Sequence, residues 1–261
     1  MRKVISRQEA AALVQDGMTL GMLGFVTLSV PEELLVSLEE RFLAEGHPRD
    51  LNVFYTSAIG DGGEHGANHL AHAGLVRRMV GAHVGLAPKL NPLITGNQIE
   101  TFCAPQGVLV HMCRAMAGHK CGVITHVGLK TFCDPEVEAC CFNDAARKAH
   151  TEGRGIVQSI EIDGRRLLHY KLTPPDVCFI KATYGDSRQS VHGEGRAVSG
   201  AVRDGPCYQE QRRNRHRPGG YPGGGQHPGP PQREGPRLLR GLCGGGAAGV
   251  QPPALLRRHP L

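Results

Sequence analysis

Two junctions between a predicted strand and a predicted helix carry residues that could bind an anion. The first is Gly24-Phe25-Val26, which follows an apolar stretch at residues 18–25 and precedes a helix that starts at Pro31. A glycine turn lets backbone N–H groups approach a ligand, and a helix N-terminus adds about half a positive charge. The segment therefore predicts a site for a phosphate, a carboxylate or an oxyanion. A plain strand-to-helix turn would use the same residues.

The second junction is Pro105-Gln106-Gly107, which follows a predicted strand at residues 100–103. The side-chain amide of Gln106 can donate to a carboxylate and accept from a hydroxyl group. An ordinary helix start explains the same three residues. Neither junction contains the Gly-x-Gly-x-x-Gly or Gly-Lys-Ser/Thr pattern, and the chain has neither a serine nucleophile elbow nor a His-Glu-x-x-His motif.

Histidine and cysteine residues form a third candidate, a soft metal site. Two groups carry these ligand types: His65, His69 and His72 in one, and His111, Cys113, His119 and Cys121 in the other. Their spacing fits no zinc module, and Cys113 falls on the apolar face of its predicted helix. We therefore expect a core thiol and surface imidazoles, with no metal bound.

Helices alternate with short apolar strands in the part of the chain that must position these residues. Ser6 and Glu9 form a capping box before a predicted helix at residues 7–16, and Ser29 and Glu32 repeat the pattern before a helix that ends at Gly46. Further elements are predicted as strands at residues 51–59, 83–87, 100–103, 123–127 and 177–184, helices at 68–80 and after Pro105, and a hairpin around Asp163-Gly164. This alternation predicts a three-layer α/β fold with a mostly parallel sheet and helices on both faces.

Composition divides the chain into two unlike regions. Residues 1–187 hold 18 Lys+Arg and 20 Asp+Glu, whereas residues 188–261 hold 12 Arg, four acids, 16 Gly and 10 Pro. The second region has little apolar surface to bury and much backbone entropy to lose. We expect one folded domain over residues 1–187 and a disordered Gly/Pro/Arg-rich tail over residues 188–261. The sequence shows no membrane span and no signal peptide, so we expect a cytoplasmic protein with reduced cysteines and no membrane partner.

An ordered set of motifs resembles the first half of one known family, over residues 1–187. The set comprises Gly24-Phe25-Val26 with Val30-Pro31-Glu32, Gly66-Ala67-x-His69-x-Ala71-His72-x-Gly74-Leu75, Pro105-Gln106-Gly107, Gly122-Val123-x-Thr125-x-Val127-Gly128-x-x-Thr131-Phe132-x-Asp134-Pro135 and Ala182-Thr183-Tyr184. Together these motifs resemble the family I CoA-transferases of the acetate/propionate (short-chain acyl) type. Each motif alone is common, but their order along the chain is specific.

The resemblance implies that CoA moves between an acyl-CoA and a free carboxylate through a glutamyl-CoA thioester on the enzyme. It implies that Gly24, Phe25 and Val26 help form the oxyanion and CoA site, and that Gln106 and Gly107 bind the small carboxylate. CoA is then a substrate, no cofactor is bound permanently, and the intact family member is a homo-oligomer. The nucleophilic glutamate of the single-chain members lies in the second half, for which this chain has no counterpart, so no catalytic residue is assigned and the chain alone is expected to be inactive.

The tail resembles family sequence read in the wrong frame. Read one base further on, codons for Arg188 to Gly195 can encode GNLSMEK, and those for Cys207 to Gly219 can encode ATKNSGGIVIAQ. The same offset can convert Gly235 to Ala247 into VPGFYVDYVVVA. Because three segments fit the family in the same offset and order, we hypothesise a frameshift near Ser187 and a non-native tail.

Two other functions remain open from the sequence. The chain could be a non-catalytic module that binds an anion or CoA at the Gly24 loop. It could also bind nucleic acid through its arginine-rich tail, since Arg contacts phosphate. However, the tail offers only Tyr208 and Tyr221 for base stacking and has no regular Arg-Gly-Gly repeat. We therefore expect no specific nucleic-acid partner.

Overall fold

The computed structural model describes residues 5–181, 184–185, 191–192 and 255–258. Its α-helices are α1 (Arg7–Ala11), α2 (Glu32–Glu45), α3 (Asn91–Thr95), α4 (Gln106–Ala117) and α5 (Asp144–Ala149), with 3-10 turns at Ala67–Leu70 and Pro88–Leu90 and a π-type turn at His150–Arg154. Its strands are β1 (Thr19–Met22), β2 (Leu51–Tyr55), β3 (Val76–Gly81), β4 (Glu100–Cys103), β5 (Val123–Thr125), β6 (Val157–Ile162), β7 (Arg165–Tyr170), β8 (Val177–Ile180), β9 (Tyr184–Gly185), β10 (Val191–His192) and β11 (Leu255–Arg258).

The main sheet has the strand order β11-β8-β1-β2-β3-β4. Strands β8, β1, β2, β3 and β4 run parallel, and β11 pairs with β8 in the antiparallel direction. The carboxyl ends of the five parallel strands therefore lie along one edge of the sheet. In open α/β sheets, ligands bind in the crevice outside that edge.

Side chains that alternate along the parallel strands divide the core into two layers. Val53 and Tyr55 of β2 pack with α1 and α2, where Leu35 and Leu38 are fully buried. Phe54, between them, points to the opposite face and packs with Met112 of α4. Helices thus cover both faces of the parallel sheet, which confirms the predicted α/β architecture.

A second, three-stranded antiparallel sheet in the order β5-β7-β6 lies on the α4 side of the molecule. The predicted hairpin joins β6 to β7 at Asp163 and Gly164, whose φ angles of 50° and 70° suit a tight turn between twisted strands. Strand β5 pairs with β7 and is not part of the main sheet, contrary to the expectation of one sheet. Its short length and half-exposed side chains explain why periodicity could not separate the two sheets.

The predicted elements before residue 60 occur, with shorter bounds. The capping box of Ser6 and Glu9 is present, but α1 ends at Ala11. Helix α2 ends where predicted, at Gly46 with a φ of 72°, which glycine adopts without strain. The expected cap from Ser29 is wrong: Pro31 precedes the helix, and no side chain caps its start.

The prediction of a helix at residues 68–80 and a strand at residues 83–87 is also wrong. Only residues 67–70 form a short 3-10 turn, and the strand lies earlier, at Val76–Gly81, between β2 and β4. Arg77 and Arg78 gave this strand a polar pattern that looks helical. Arg78 instead pairs across the sheet with Glu100 and lies 5.2 Å from the ring centre of Phe102.

Most of the predicted tail lies outside the described residues. Within residues 188–261 the structure describes the backbone of residues 191–192 and 255–258, both as strands. Across the described parts of the chain, no helix is long and apolar enough to cross a membrane.

Candidate functional site

A small pocket of about 90 Å³ lies at the carboxyl edge of the main sheet, above β1 and β2. The loop after β1, the start of α2 and the loop after β2 build it. Its lining residues are Val26, Thr27, Val30, Glu32, Gly60, His65 and Gly66. The pocket therefore lies at the place where parallel α/β sheets bind ligands.

The loop after β1 is a tight turn tied to the loop after β2. Within the turn, the Phe25 N–H donates to the Leu28 carbonyl (2.9 Å) and the Leu28 N–H donates back to the Phe25 carbonyl (2.8 Å). The Val26 N–H donates to the Ala58 carbonyl (2.8 Å), and the Gly60 N–H donates to the Val26 carbonyl (2.9 Å). These bonds hold Val26 at a φ of 57°, an unusual conformation for a β-branched residue.

The three residues predicted from this loop have different surroundings. Val26 lines the pocket, whereas Phe25 is 36% exposed at the turn. The amides of Phe25 and Val26 are engaged inside the protein. Within residues 5–181, the amides of Gly24 and Thr27 donate to no acceptor, and of these two residues only Thr27 lines the pocket, whereas Gly24 is buried behind it.

Close backbone approaches explain the glycines of the loop after β2. A Cβ atom on Gly60 would lie 2.1 Å from the Leu86 carbonyl oxygen, and one on Gly66 would lie 2.8 Å from the Cα atom of Gly60. Gly60 and Gly66 pair with each other in an antiparallel bridge. The wall of the pocket is therefore backbone packed on backbone, which only glycine permits.

A network of acids and imidazoles borders the pocket, and we call Glu32, Glu39, His69 and His72 the acid–imidazole network. His69 contacts Glu39 through Nδ1 (2.5 Å) and Glu32 through Nε2 (2.8 Å), and His72 Nε2 contacts Glu39 (2.6 Å). The second oxygen of Glu32 accepts the Gly66 N–H (3.0 Å). Sequence reasoning singled out the histidines but missed the acids. Their spacing of seven residues, which places both on one face of α2, was the available signal.

Mutual hydrogen bonding shifts the pKa values inside this network. The hydrogen bond to Glu32 raises the pKa of His69, burial lowers it, and the bond to Glu39 raises it again, with a net value above the ordinary 6.5. Burial raises the pKa of Glu32, but hydrogen bonds from His69 and from the Gly66 N–H outweigh burial, and the net value lies below 4.5. The same balance, with bonds from His72 and His69, lowers the pKa of Glu39.

Gln106 and Gly107 lie elsewhere along the same edge. They begin α4 directly after β4, and both are exposed to solvent. Three strand spacings separate β4 from β1, which is about 14 Å at 4.8 Å per strand. Neither residue lines the Val26 pocket. The structure therefore places the two predicted binding elements on one edge of the sheet, three strands apart.

The alternative of a metal site has no support in the described residues, where no group of three or more His, Cys, Asp or Glu side chains could hold a metal ion. His69 and His72 are engaged with acids, and Cys113 is buried on α4 as expected. Two of the buried thiols, Cys103 and Cys141, are poor nucleophiles. Burial raises the pKa of Cys103 to about 12 and that of Cys141 to about 11.

Comparison with known sequences gives a family. The coenzyme A transferase family matches residues 4–203. A caffeate CoA-transferase of Acetobacterium woodii is 36% identical over 211 residues, which cover 78% of this chain and 39% of that protein. The acetate CoA-transferase subunit alpha of Escherichia coli K12 is 24% identical over 181 residues, which cover 69% of this chain and 70% of the subunit.

Comparison with solved structures identifies the same family as comparison of sequences. The acyl-CoA transferase YdiF of E. coli O157:H7, solved as a thioester complex with CoA, superimposes with a TM-score of 0.70 at 29% identity. The match covers 77% of this chain and 40% of YdiF. The chain thus spans about two fifths of the length of YdiF and of the caffeate CoA-transferase.

Proposed function

The chain belongs to the coenzyme A transferase family, and from that premise we propose that residues 1–187 are the N-terminal part of a short-chain acyl-CoA:carboxylate CoA-transferase. The enzyme moves CoA between an acetyl- or propionyl-type acyl-CoA and a free carboxylate. The observation that carries the proposal is the glycine-walled pocket at the carboxyl edge of a parallel sheet. The strained Val26 turn forms one side of it, in a chain whose family transfers CoA.

The chemistry that this half supplies is stabilisation of negative charge. When a carboxylate oxygen bonds to the carbonyl carbon of a thioester, an electron pair moves onto the carbonyl oxygen. Backbone N–H groups that are already oriented stabilise that charge without reorganising. We assign this role to the loop Gly24-Phe25-Val26. The proposed donors are the amides of Gly24 and of Thr27, the residue that follows this loop, which have no acceptor within residues 5–181, and the engaged amides of Phe25 and Val26 fix its shape.

The substrate carboxylate binds at the start of α4. Gln106 is solvent-exposed there, so its side-chain amide is available to donate to a carboxylate oxygen. Gly107 beside it has open space around its Cα atom, which lets a ligand approach the backbone. The distance of about 14 Å from β1 to β4 matches two parts of one extended acyl-CoA site better than a single compact pocket.

The nucleophilic glutamate belongs to the half that this chain lacks, so residues 1–187 provide binding and charge stabilisation without the covalent step. We propose that a frameshift near Ser187 separates the chain from that half. The support is the fit of three tail segments to family sequence in one shifted frame. Resequencing the gene across the Ser187 codon tests this: an extra or missing base is expected, and one continuous frame would refute it.

The activity itself is tested with acetyl-CoA as donor and propionate as acceptor. The purified 261-residue chain is compared with the product of a gene shifted by one base after the Ser187 codon. Propionyl-CoA is expected only from the shifted gene product. Propionyl-CoA from the 261-residue chain would show that a group within it performs the chemistry. CoA binding without transfer by both proteins would favour the non-catalytic module.

A further inference from the structure

We propose that the acid–imidazole network is a pH-sensitive device that holds the Val26 pocket in shape, with His69 as its positioning residue. The network lies beside the pocket and shares Glu32 with its lining. Its significance for catalysis rests on the proposed function of that pocket. The positioning effect itself is a property of residues 5–181 and is measurable without any substrate.

A continuous series of contacts joins His69 to the turn after β1. His69 Nε2 bonds one oxygen of Glu32, and the other oxygen of Glu32 accepts the Gly66 N–H. Gly66 pairs with Gly60, whose N–H donates to the Val26 carbonyl. Loss of the His69–Glu32 bond therefore frees the carboxylate that anchors the loop after β2. That loop is in turn the partner of the strained Val26 turn.

The geometry requires a charged His69. Both ring nitrogens lie on carboxylate oxygens, at 2.5 and 2.8 Å. An ionised carboxylate only accepts hydrogen bonds, so both nitrogens must carry a proton. The side chains of His69 and Glu32 are each 14% exposed, so water does not replace a lost partner freely. Deprotonation leaves one carboxylate facing a nitrogen lone pair, and that contact opens.

The charged groups around His69 favour the imidazolium. Glu32 and Glu39 of α2 contact it directly, and His72 contacts Glu39 from the other side. His65 lies edge-on at 6.5 Å between ring centres and is itself paired with Asp61. The network thus places two carboxylates against His69.

The sign of the pH effect follows from the shifted pKa values. The pKa of His69 is raised in the folded protein. Its stabilisation of the pocket is therefore complete below pH 6.5 and is lost as the pH rises through the higher folded pKa. The pKa values of Glu32 and Glu39 are lowered in the folded protein. Their stabilisation of the pocket is therefore complete above pH 4.5 and is lost as the pH falls through the lower folded pKa values. The pocket is therefore held most firmly between pH 4.5 and 6.5.

The test is amide hydrogen exchange of residues 58–66 in the full 261-residue chain, corrected for the intrinsic pH dependence of exchange. In the unmodified protein, protection of this loop should fall about tenfold as the pH rises through the titration of His69, which corresponds to one charge-assisted hydrogen bond. His69→Gln should show the low protection at every pH. His69→Arg, which keeps a cation with several donors, should show high protection without a pH step.

His47→Gln is the matched control, because His47 also pairs with a carboxylate, Asp16, but does so far from the pocket residues in a half-exposed position. It should leave the exchange of residues 58–66 unchanged. Nitrogen-15 resonances of the His69 ring in the unmodified protein should report a doubly protonated imidazole at pH 6. A neutral ring at that pH, or equal loop protection in His69→Gln and the unmodified chain, overturns the proposal. Neither hydrogen exchange nor the nitrogen-15 resonances depend on CoA transfer. Failure of the enzyme assay would therefore not contradict the proposed role of His69.

Discussion

Replacing Gly60 by alanine tests whether the pocket wall depends on backbone packing. The new Cβ atom would lie 2.1 Å from the Leu86 carbonyl oxygen, so that carbonyl must move. In doing so it loses the hydrogen bonds it accepts from the Gly62 N–H (3.0 Å) and from Asn68 Nδ2 (3.3 Å). Each bond contributes about 1 kcal/mol, and the positive φ of 152° adds about 1 kcal/mol of strain for an L-residue. The expected loss is about 3 kcal/mol.

Urea unfolding of Gly60→Ala and of the unmodified chain, followed by circular dichroism, measures this difference. Gly107→Ala is the matched control, because its Cβ atom would meet nothing within 4 Å and it lies in the first turn of α4. Alanine there should leave the stability unchanged or raise it by about 0.5 kcal/mol. A change of less than about 0.5 kcal/mol in Gly60→Ala would refute the packing argument, since ordinary surface substitutions stay within that range.

Three further outcomes follow from the described residues. Asp134, which is 1% exposed and bound by Arg166, has a pKa lowered to about 2 by that hydrogen bond. Asp134→Asn should lower the free energy of unfolding by about 2 kcal/mol at pH 7, and urea titrations should show this difference shrinking as the pH falls from about 4 to about 2. Among the thiols of residues 5–181, maleimide should label the exposed Cys121 well before the buried Cys103, as peptide mapping would show, and equal rates would contradict the burial. In the shifted gene product, Gln106→Ala should raise the KM for the acceptor carboxylate about tenfold while leaving that for acetyl-CoA within twofold, and the reverse pattern would remove Gln106 from the carboxylate site.

The architecture could be predicted because its signals are local. The capping box of Ser6 and Glu9, the glycine that ends α2, and the Asp163-Gly164 hairpin each depend on residues a few positions apart. Alternating helices and short apolar strands then suffice to indicate a parallel sheet.

The wrong predictions concern segments whose structure depends on contacts between residues that are far apart in the sequence. Residues 68–80 were predicted to be helical because strands and helices alternate along the chain, yet the side chains of His69 and His72 are held by acids of α2 that lie 30 or more residues away. Strand β3 depends on pairing with β2 and β4, which no local pattern reveals. The Val26 conformation likewise depends on hydrogen bonds with the loop after β2. Tertiary contacts therefore determined the parts of the site that the sequence pattern missed.

We propose that this chain holds the binding and charge-stabilising half of a CoA-transferase, and that the nucleophile lies outside it. Mass spectrometry after incubation with acetyl-CoA tests it most directly, using the 261-residue chain and the shifted gene product. We expect a covalent CoA thioester only in the shifted product, on a glutamate after Ser187. A thioester on any residue among 1–187, or a shifted product that binds acetyl-CoA without forming a thioester, would contradict it.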